Sequence, residues 1–377
     1  MSPRKRLKYP AAVILHLTDV CNLRCKMCYF WGETGAYSRA RAKGKPKILD
    51  FELAKELIRE LGSSRPKPWY SLFGGEPLTY PYLEKLICVI KDMGSVVDTP
   101  TNGTLLSKYA PMLVRTGFDQ VRVSIDGPRE INDMQRGEGS YDKVMKGIKD
   151  LHLEKQNADS QTPRICILFT ITPENHLSIE DFFLKNEDLD LSMINHVELQ
   201  VQNFVTKTMG KEYSKFLKSE LGTKNDIYWK GMLRSTKDFE NMDTIELARQ
   251  GNKVCNHLKE LGKTYFLQPP TYSPENLAAY LKADWKNMTD QYEDCRQPWL
   301  TTEINASGEV VACHIFHELV MGNLHENSFE EIWYGEPYQK FREYLEQHKF
   351  IPICNIGCCM LYIGGNKKAI PLISELS

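Results

Sequence analysis

The sequence lacks the features of a membrane or exported protein. No apolar run approaches the ~18–20 residues that are needed to span a bilayer. The apolar stretch at 11–17 is too short for the core of a signal peptide, and no small-residue cleavage site follows it. We therefore expect a cytoplasmic protein without a membrane span.

The chain also lacks an excess of charge of one sign, an internal repeat and a low-complexity tract. Its 48 Lys and Arg residues nearly balance its 49 Asp and Glu residues, which argues against a generally polybasic nucleic-acid binder. The charge is uneven, however, since residues 1–47 carry +9 and the remainder carries −10. This local positive field favours an anionic ligand, and solvated basic side chains on loops are the alternative.

Disulfides are not expected in the cytoplasm, so the 11 cysteines should be reduced thiols or metal ligands. Their positions are clustered, with three near the start of the chain, five after position 290 and three isolated between them. In order they are Cys21, Cys25, Cys28, Cys88, Cys166, Cys255, Cys295, Cys313, Cys354, Cys358 and Cys359. We expect Cys88 and Cys166 to be plain buried thiols, in a helix and a strand.

The first half of the chain alternates short apolar runs with amphipathic stretches. Predicted strands lie at 12–17, 69–73, 95–99, 120–125, 164–171 and 196–203, and predicted helices at 50–61, 82–93, 105–116, 141–153 and 178–186. This alternation is typical of a parallel α/β sheet with right-handed crossovers. Six strand–helix repeats predict a partial (β/α)6 TIM-like barrel, because a closed barrel has eight repeats and needs a longer chain.

The sequence divides into three predicted regions. Residues 1–204 form the partial barrel. Residues 205–290 are polar and lack strand alternation, so we expect a helical and loop insert over the barrel mouth. Residues 291–377 form a small C-terminal domain, with a predicted hairpin at 302–313 and helices at 324–333 and 338–346.

The N-terminal cysteines follow the first strand with the spacing Cys21-x3-Cys25-x2-Cys28. Three thiolates within eight residues can hold one soft metal centre. A tetrahedral zinc ion would require a fourth ligand close by, whereas His16 lies inside a strand. A [4Fe–4S] cluster on three cysteines leaves one iron open for a ligand, and the spacing favours that cluster over zinc.

This motif resembles that of the radical S-adenosylmethionine (SAM) superfamily, and further motifs match in order at predicted strand ends, where parallel barrels carry their active sites. The matching residues are Gly74, Gly75, Glu76, Asn102, Ser124, Asp126 and Arg136. The resemblance implies that the Gly-Gly-Glu motif receives the SAM amino group and that the last three residues hold its ribose and carboxylate. One departure is Met27, where the family often has an aromatic residue.

The C-terminal cysteines resemble those of the auxiliary-cluster module called SPASM, or of its shortened form, Twitch. Two auxiliary clusters would need more cysteines than the five present, so we predict a single auxiliary [4Fe–4S] cluster. The predicted ligands are Cys295, Cys313 and Cys354, with Cys358 favoured over Cys359 as the fourth. A four-cysteine zinc site is the alternative.

The resemblance implies an oxidoreductase in which SAM is reductively cleaved and the 5′-deoxyadenosyl radical abstracts a substrate hydrogen. The auxiliary cluster would accept the electron of the product radical, and a flavodoxin- or ferredoxin-type protein would supply the first electron. Only about a dozen residues precede the first strand in this sequence, fewer than the leader-binding domain of many peptide maturases needs, although that domain can also be a separate chain. We therefore expect a small molecule or sugar as the substrate.

Other functions remain open on the sequence. The chain could be a peptide- or protein-modifying maturase, or an epimerase with Cys255 as the hydrogen donor. Glu198, Gln200 and Gln202 alternate along the sixth strand and are candidate pocket residues. A non-catalytic metal-binding protein would not cleave SAM, and a nucleic-acid-modifying enzyme would bind with a steep salt dependence.

Overall fold

The computed structural model describes residues 8–37, 45–223, 226–290 and 294–354. Its ten strands are β1 Ala12–His16, β2 Trp69–Phe73, β3 Val96–Thr101, β4 Gln120–Ser124, β5 Arg164–Ile171, β6 His196–Val201, β7 Thr264–Gln268, β8 Thr301–Ile304, β9 Glu309–Val311 and β10 Val320–Asn323. They form one sheet in the order β10-β9-β8-β1-β2-β3-β4-β5-β6-β7.

Helices follow most of the strands and cover the outer face of the sheet. The α-helices are α1 Phe51–Leu61, α2 Leu83–Asp92, α3 Leu106–Arg115, α4 Arg129–Arg136, α5 Ser140–Asn157, α6 Ile179–Leu184, α7 Lys207–Glu220, α8 Tyr228–Gly231, α9 Thr244–Glu260, α10 Pro274–Leu281, α11 Gln297–Leu300, α12 Phe329–Tyr334 and α13 Glu336–His348. Within the described ranges, no helix has the length and apolar character that crossing a membrane requires.

All neighbouring strands from β8 to β7 are parallel, which confirms the predicted partial barrel of a mixed α/β fold. Local sequence accounts for its elements. In α1, the Asp50 side chain accepts a hydrogen bond from the Leu53 N–H as the N-cap. In β4, Val121 and Val123 are buried while Gln120, Arg122 and Ser124 are half-buried, because alternate side chains face the helices and the barrel interior.

The region 205–290 differs from its prediction, because it contributes a strand. β7 pairs in parallel with β6 and extends the sheet, and α9 contacts β7 and α6. This region is therefore not only a helical insert over the mouth. The strand was missed because Thr264–Gln268 is short and only its last residue is buried, so it carries no apolar alternation.

The C-terminal region continues the same sheet. The predicted hairpin is present as antiparallel β8 and β9, and β10 adds a third strand. β8 also pairs in parallel with β1, with Ile14 opposite Glu303.

Of the isolated cysteines, Cys166 is buried as expected, whereas the expectation of a buried Cys88 is wrong. Cys88 is exposed because it lies on the face of α2 opposite the buried Ile87 and Ile90.

Asp133 fixes the junction between α4 and α5. Its carboxylate accepts hydrogen bonds from the backbone N–H groups of Gly139 and Tyr141, both at 2.8 Å, and from the Ser140 hydroxyl. Partial burial would raise the pKa of Asp133, but these donors outweigh it and lower the pKa.

We expect the substitution Asp133→Asn to lower the free energy of unfolding by about 1 kcal/mol at pH 7. A carboxyl whose folded pKa is depressed stabilises the fold above its unfolded pKa of 3.8, and this contribution disappears as pH falls through the folded value. Urea denaturation at pH 7 and at pH 3.5 measures the difference. Asp142→Asn is the control, since Asp142 is 64% exposed; an equal loss in both variants would contradict the assignment.

Candidate active site

The N-terminal cysteines lie on the loop that follows β1. Backbone hydrogen bonds from Cys28 to Cys25 and from Gly32 to Cys28 shape this loop. Backbone N–H groups also point at sulfur, with the Leu23 nitrogen 3.5 Å from Cys21 Sγ and the Trp31 nitrogen 3.3 Å from Cys28 Sγ. Such donors favour the thiolate form of a cysteine.

The protein alone does not favour the ionised form of Cys21 and Cys25. Burial raises the pKa of Cys21 to about 12 and that of Cys25 to about 11, although the positive charge of Arg136 opposes the second shift. A coordinating metal centre deprotonates such thiols outright. The environment of the loop therefore fits thiolate ligands that are held by a metal centre.

The sulfur atoms of the loop are not grouped as closely as the ligands of a single zinc ion would be. Two sulfurs bound to one tetrahedral zinc, with Zn–S bonds of about 2.3 Å, lie about 3.8 Å apart. Within the described residues, the His, Cys, Asp and Glu group whose ligand atoms all lie within 4.8 Å of one another is His16, Glu303 and His317, and it contains no cysteine. The loop cysteines are thus spread more widely than one zinc ion requires.

Gly74 and Gly75 let the loop after β2 pass directly against the cysteine loop. A Cβ atom on Gly74 would lie 2.5 Å from the Thr18 carbonyl oxygen, and one on Gly75 would lie 2.2 Å from that of Val20. The Gly75 and Glu76 N–H groups donate to the same two carbonyls, at 2.6 and 2.8 Å. Both glycines are needed for this contact, and Gly74 also has a φ of 143°.

Glu76 is buried and its carboxylate is held inside the protein. It accepts hydrogen bonds from the Thr101 hydroxyl at 2.6 Å, the Asn102 N–H at 2.8 Å and the Leu78 N–H at 3.1 Å. Burial raises its pKa, and these donors oppose the shift. The carboxylate that the resemblance assigns to SAM thus joins the ends of β2 and β3, while the backbone beside it borders the cysteine loop.

Asn102 connects the end of β3 to the cysteine loop. Its side-chain nitrogen donates to the Asn22 side-chain oxygen at 2.8 Å and lies 3.9 Å from Cys21 Sγ. Asn22 in turn donates to the Thr104 hydroxyl at 2.8 Å. Asn102 therefore positions Cys21, the first cysteine of the loop.

Arg136 and Asp126 form a buried bidentate ion pair. Arg136 Nε lies 2.6 Å from Asp126 Oδ2, and Arg136 Nη2 lies 3.1 Å from Oδ1. The remaining nitrogen, Nη1, is 4.0 Å from Cys25 Sγ. Arg136 is thus neither a surface residue nor a freely available carboxylate clamp, because one edge of its guanidinium is already paired and only the other borders the cysteine loop.

The interior polar residues predicted for a substrate pocket serve mainly a charge network. Arg122 Nε is 2.8 Å from Asp98 Oδ2, and burial raises the pKa of Asp98 to about 6 while Arg122 opposes the shift. Burial also raises the pKa of Glu198, which the Arg122 charge and a 2.9 Å hydrogen bond from Gln200 oppose.

The other predicted residues of this face lie nearer the ends of the strands. Gln202 is buried just beyond the end of β6, and its N–H donates to the Ile171 carbonyl. Ser124 is half-buried at the end of β4. Cys255 is 3% exposed and belongs to the hydrophobic core, where burial raises its pKa to about 12. It lies on α9 in the helical layer beside β7, not over the mouth as the epimerase hypothesis requires.

Three C-terminal cysteines line a second site. Cys295, Cys313 and Cys354 border one largely apolar cavity. Burial raises the pKa of Cys313 to about 12, although the N–H groups of Ile315 and Phe316 oppose this shift. Burial and the two neighbouring thiols also raise the pKa of Cys354. The predicted fourth ligands, Cys358 and Cys359, lie outside the described residues.

Aromatic contacts link the two cysteine sites. The His314 ring, next to Cys313, packs edge-on against Phe73 with 4.4 Å between ring centroids. Phe73 ends β2 and precedes Gly74, which contacts the N-terminal loop.

A pocket of about 510 Å³ opens beside this region, and both Lys and carboxylate side chains line it. Its mixed charge gives no preference for an anionic ligand.

The sequence reasoning missed one buried group, formed by His16, Glu303 and His317. It set His16 aside as a strand residue and did not consider the other two. The only local signal was the proximity of His314 and His317 to Cys313, because the three side chains come from β1, β8 and the connection between β9 and β10, which meet only in the folded sheet.

Family comparisons agree with this architecture. Residues 15–183 match the model of the Radical SAM superfamily, and residues 295–360 match that of SPASM, an iron–sulfur cluster-binding domain. The chain belongs to the radical SAM superfamily and carries a C-terminal SPASM domain. It is thus a radical SAM enzyme, which uses SAM and a [4Fe–4S] cluster. Its SPASM domain binds one or more auxiliary iron–sulfur clusters.

Individual relatives match different shares of the chain. It is 31% identical to Fe-coproporphyrin III synthase from Methanosarcina barkeri over 173 residues, which are 45% of this chain and 39% of that protein; the match thus spans about two fifths of that relative. It is 25% identical to a serine-type anaerobic sulfatase-maturating enzyme from Bacteroides thetaiotaomicron over 369 residues, 90% of this chain and 80% of that protein.

Among solved structures, the chain resembles Streptococcus suis SuiB bound to its precursor peptide SuiA. The TM-score is 0.58 at 16% identity, over 95% of this chain and 74% of that one. At this identity the similarity shows a shared fold.

We expect Asp126→Asn to destabilise the protein by about 3–5 kcal/mol, because it leaves the buried Arg136 guanidinium without its counter-ion. The cysteine loop should loosen with it and hold less iron. Anaerobic thermal unfolding and iron per chain measure both effects. Glu84→Gln is the matched control, since its pair with Arg115 is exposed on both sides and should contribute less than about 1 kcal/mol. Wild-type stability of Asp126→Asn would contradict the role of the pair.

Proposed function

We propose that this enzyme oxidises its substrate by two electrons, with one auxiliary [4Fe–4S] cluster as the electron acceptor. The observation that carries the proposal is the presence of two separate sets of three half-buried cysteines on segments that are attached to one continuous sheet. The first set would hold the SAM-binding cluster. The second set, Cys295, Cys313 and Cys354, with Cys358 or Cys359 as the fourth ligand, would hold the auxiliary cluster.

When bound, SAM and its reduced cluster supply a 5′-deoxyadenosyl radical that removes hydrogen from carbon. The residues of this chain position and shield that chemistry. Asn102 and Arg136 border the sulfurs of Cys21 and Cys25, and the backbone at Gly74 and Gly75 closes against the same loop. The substrate then gives up one hydrogen atom, one electron and one proton in total.

Two substrate classes are supported by different observations. The 510 Å³ pocket beside His317 has the volume of a small-molecule site, which supports a small molecule or sugar. Similarity over 90% of the chain to an enzyme named for maturing a sulfatase supports a peptide or protein side chain. In both cases the reaction at carbon is the same oxidation.

Iron content tests the two-cluster arrangement. Wild-type protein reconstituted anaerobically should hold about eight irons per chain, and the triple variant Cys21→Ala/Cys25→Ala/Cys28→Ala should keep about four and lose SAM cleavage. The variant Cys295→Ala/Cys313→Ala/Cys354→Ala should also keep about four and still release 5′-deoxyadenosine with dithionite. Iron and sulfide assays, with chromatography of the nucleoside, provide the measurements.

The control for this experiment is Cys88→Ala/Cys166→Ala, which removes cysteines outside both sets and should keep all the iron. If the C-terminal triple variant loses no iron, or if the wild type holds about four irons in total, the auxiliary cluster and the proposed electron acceptor are both wrong.

Product mass distinguishes the substrate classes. We expect a substrate to increase 5′-deoxyadenosine formation above the background and to become lighter by two hydrogen atoms. The probes are a serine- and cysteine-containing synthetic peptide and an aminoglycoside-type sugar, each tested by mass spectrometry. The C-terminal triple variant is the control, because it should cleave SAM without forming the oxidised product. A product of unchanged mass would instead indicate a redox-neutral reaction.

A further inference from the structure

A group of metal-ligating side chains lies in the protein apart from both cysteine sets. It consists of His16, Glu303 and His317, whose exposures are 1%, 1% and 2%. One ligand atom from each residue lies within 4.8 Å of the others. Glu303 Oε1 is 2.9 Å from His317 Nε2 and 3.8 Å from His16 Nδ1.

The fold brings these residues together from three segments. His16 is the last residue of β1, and Glu303 lies in the neighbouring parallel strand β8, opposite Ile14. His317 comes from the connection between β9 and β10. Because β-sheet pairing fixes two of the three, the group is held by rigid elements and not by one mobile loop.

Two atoms of the group are buried without a hydrogen bond to any described residue. They are Nδ1 of His317 and Oε1 of Glu303; the short contact of Oε1 with His317 lacks the geometry of a hydrogen bond. Leaving a buried polar atom unsatisfied costs about 1–3 kcal/mol. A bound cation would satisfy both an imidazole nitrogen and a carboxylate oxygen.

The remaining atoms of the group have the partners that metal ligands usually have. His16 Nε2 is 3.1 Å from the Tyr37 hydroxyl, and Glu303 Oε2 is 2.7 Å from His314 Nδ1. Such outer contacts fix the orientation of ligating imidazoles and carboxylates. The Asp19 carboxylate lies 3.6 Å from His16 Nε2, so Glu303 and Asp19 together balance the charge of a divalent ion.

We propose that His16, Glu303 and His317 bind one divalent metal ion, and that the ion is zinc. Two histidines and one carboxylate are the protein ligands of several zinc sites that leave the fourth position for water or a substrate oxygen. His317 also lines the 510 Å³ pocket, together with Asp19 and Tyr37. The proposed site therefore borders, through His317, a space that admits an oxygen-donor ligand.

The decisive measurement is zinc X-ray absorption on the full, iron-reconstituted chain after one equivalent of zinc and gel filtration. We expect one zinc per chain with nitrogen and oxygen neighbours at about 2.0–2.2 Å and no sulfur neighbours at about 2.3 Å. Zinc that is lost on the column, or zinc bound by sulfur, would overturn the proposal. Because iron content is measured in the same sample, failure of the zinc site is distinct from failure of the cluster assignment.

Substitutions then assign the ligands. His317→Gln and Glu303→Gln should each reduce the retained zinc at least tenfold, while iron per chain stays at the wild-type level. The matched control is His196→Gln, which replaces a buried histidine of β6 and should retain the zinc. Equal zinc in His317→Gln and wild type would refute the site.

A second readout covers the case in which the variants do not fold. Added zinc should raise the thermal midpoint of the wild-type chain, since a ligand that binds the folded state stabilises it. A wild-type midpoint that zinc leaves unchanged would also refute the proposal.

Discussion

The buried ion pair between Arg136 and Asp126 holds together the segments that meet at the cysteine loop. Asp126 follows β4 and also accepts the Thr170 N–H of β5 at 2.8 Å, while Arg136 ends α4. The loop is attached to that same helix end, since the Lys26 N–H donates to the Gln135 carbonyl at 2.9 Å. Because removing either charge strands the other in the interior, the position of the loop depends on this pair.

The cysteine sites add a second constraint, which is that the fold alone favours neutral thiols. Burial raises the pKa of Cys21, Cys25, Cys313 and Cys354, although backbone N–H groups face several of the sulfurs. Hydrogen-bond donors thus face thiols whose ionisation is unfavourable. The positive charge that stabilises the thiolates must therefore come from a bound metal centre. Metal binding in this enzyme is therefore coupled to the stability of the loops that carry the ligands.

Local patterns in the sequence were sufficient for the repeated barrel units but not for contacts made between distant strands. The alternation in β4 and the Asp50 cap of α1 are encoded within a few residues, and the structure confirms both. β7 was missed because most of its residues are only half-buried and show no apolar alternation, and no local rule could place β8 beside β1. The hydrogen-bond partners of Glu76 could not be predicted from local patterns either, since its carboxylate binds residues that lie 25 and 26 positions away.

The pairing of β8 with β1 explains why the barrel and the SPASM domain act as one structure. β1 lies between β2 and β8, so the C-terminal domain covers an edge of β1 that would otherwise expose unpaired backbone groups. The same pairing carries Glu303 to His16 and leads through β9 to Cys313. The strand β8, which joins the C-terminal strands to β1, therefore also fixes where the second cysteine site lies relative to the first, because both sites are attached to one sheet.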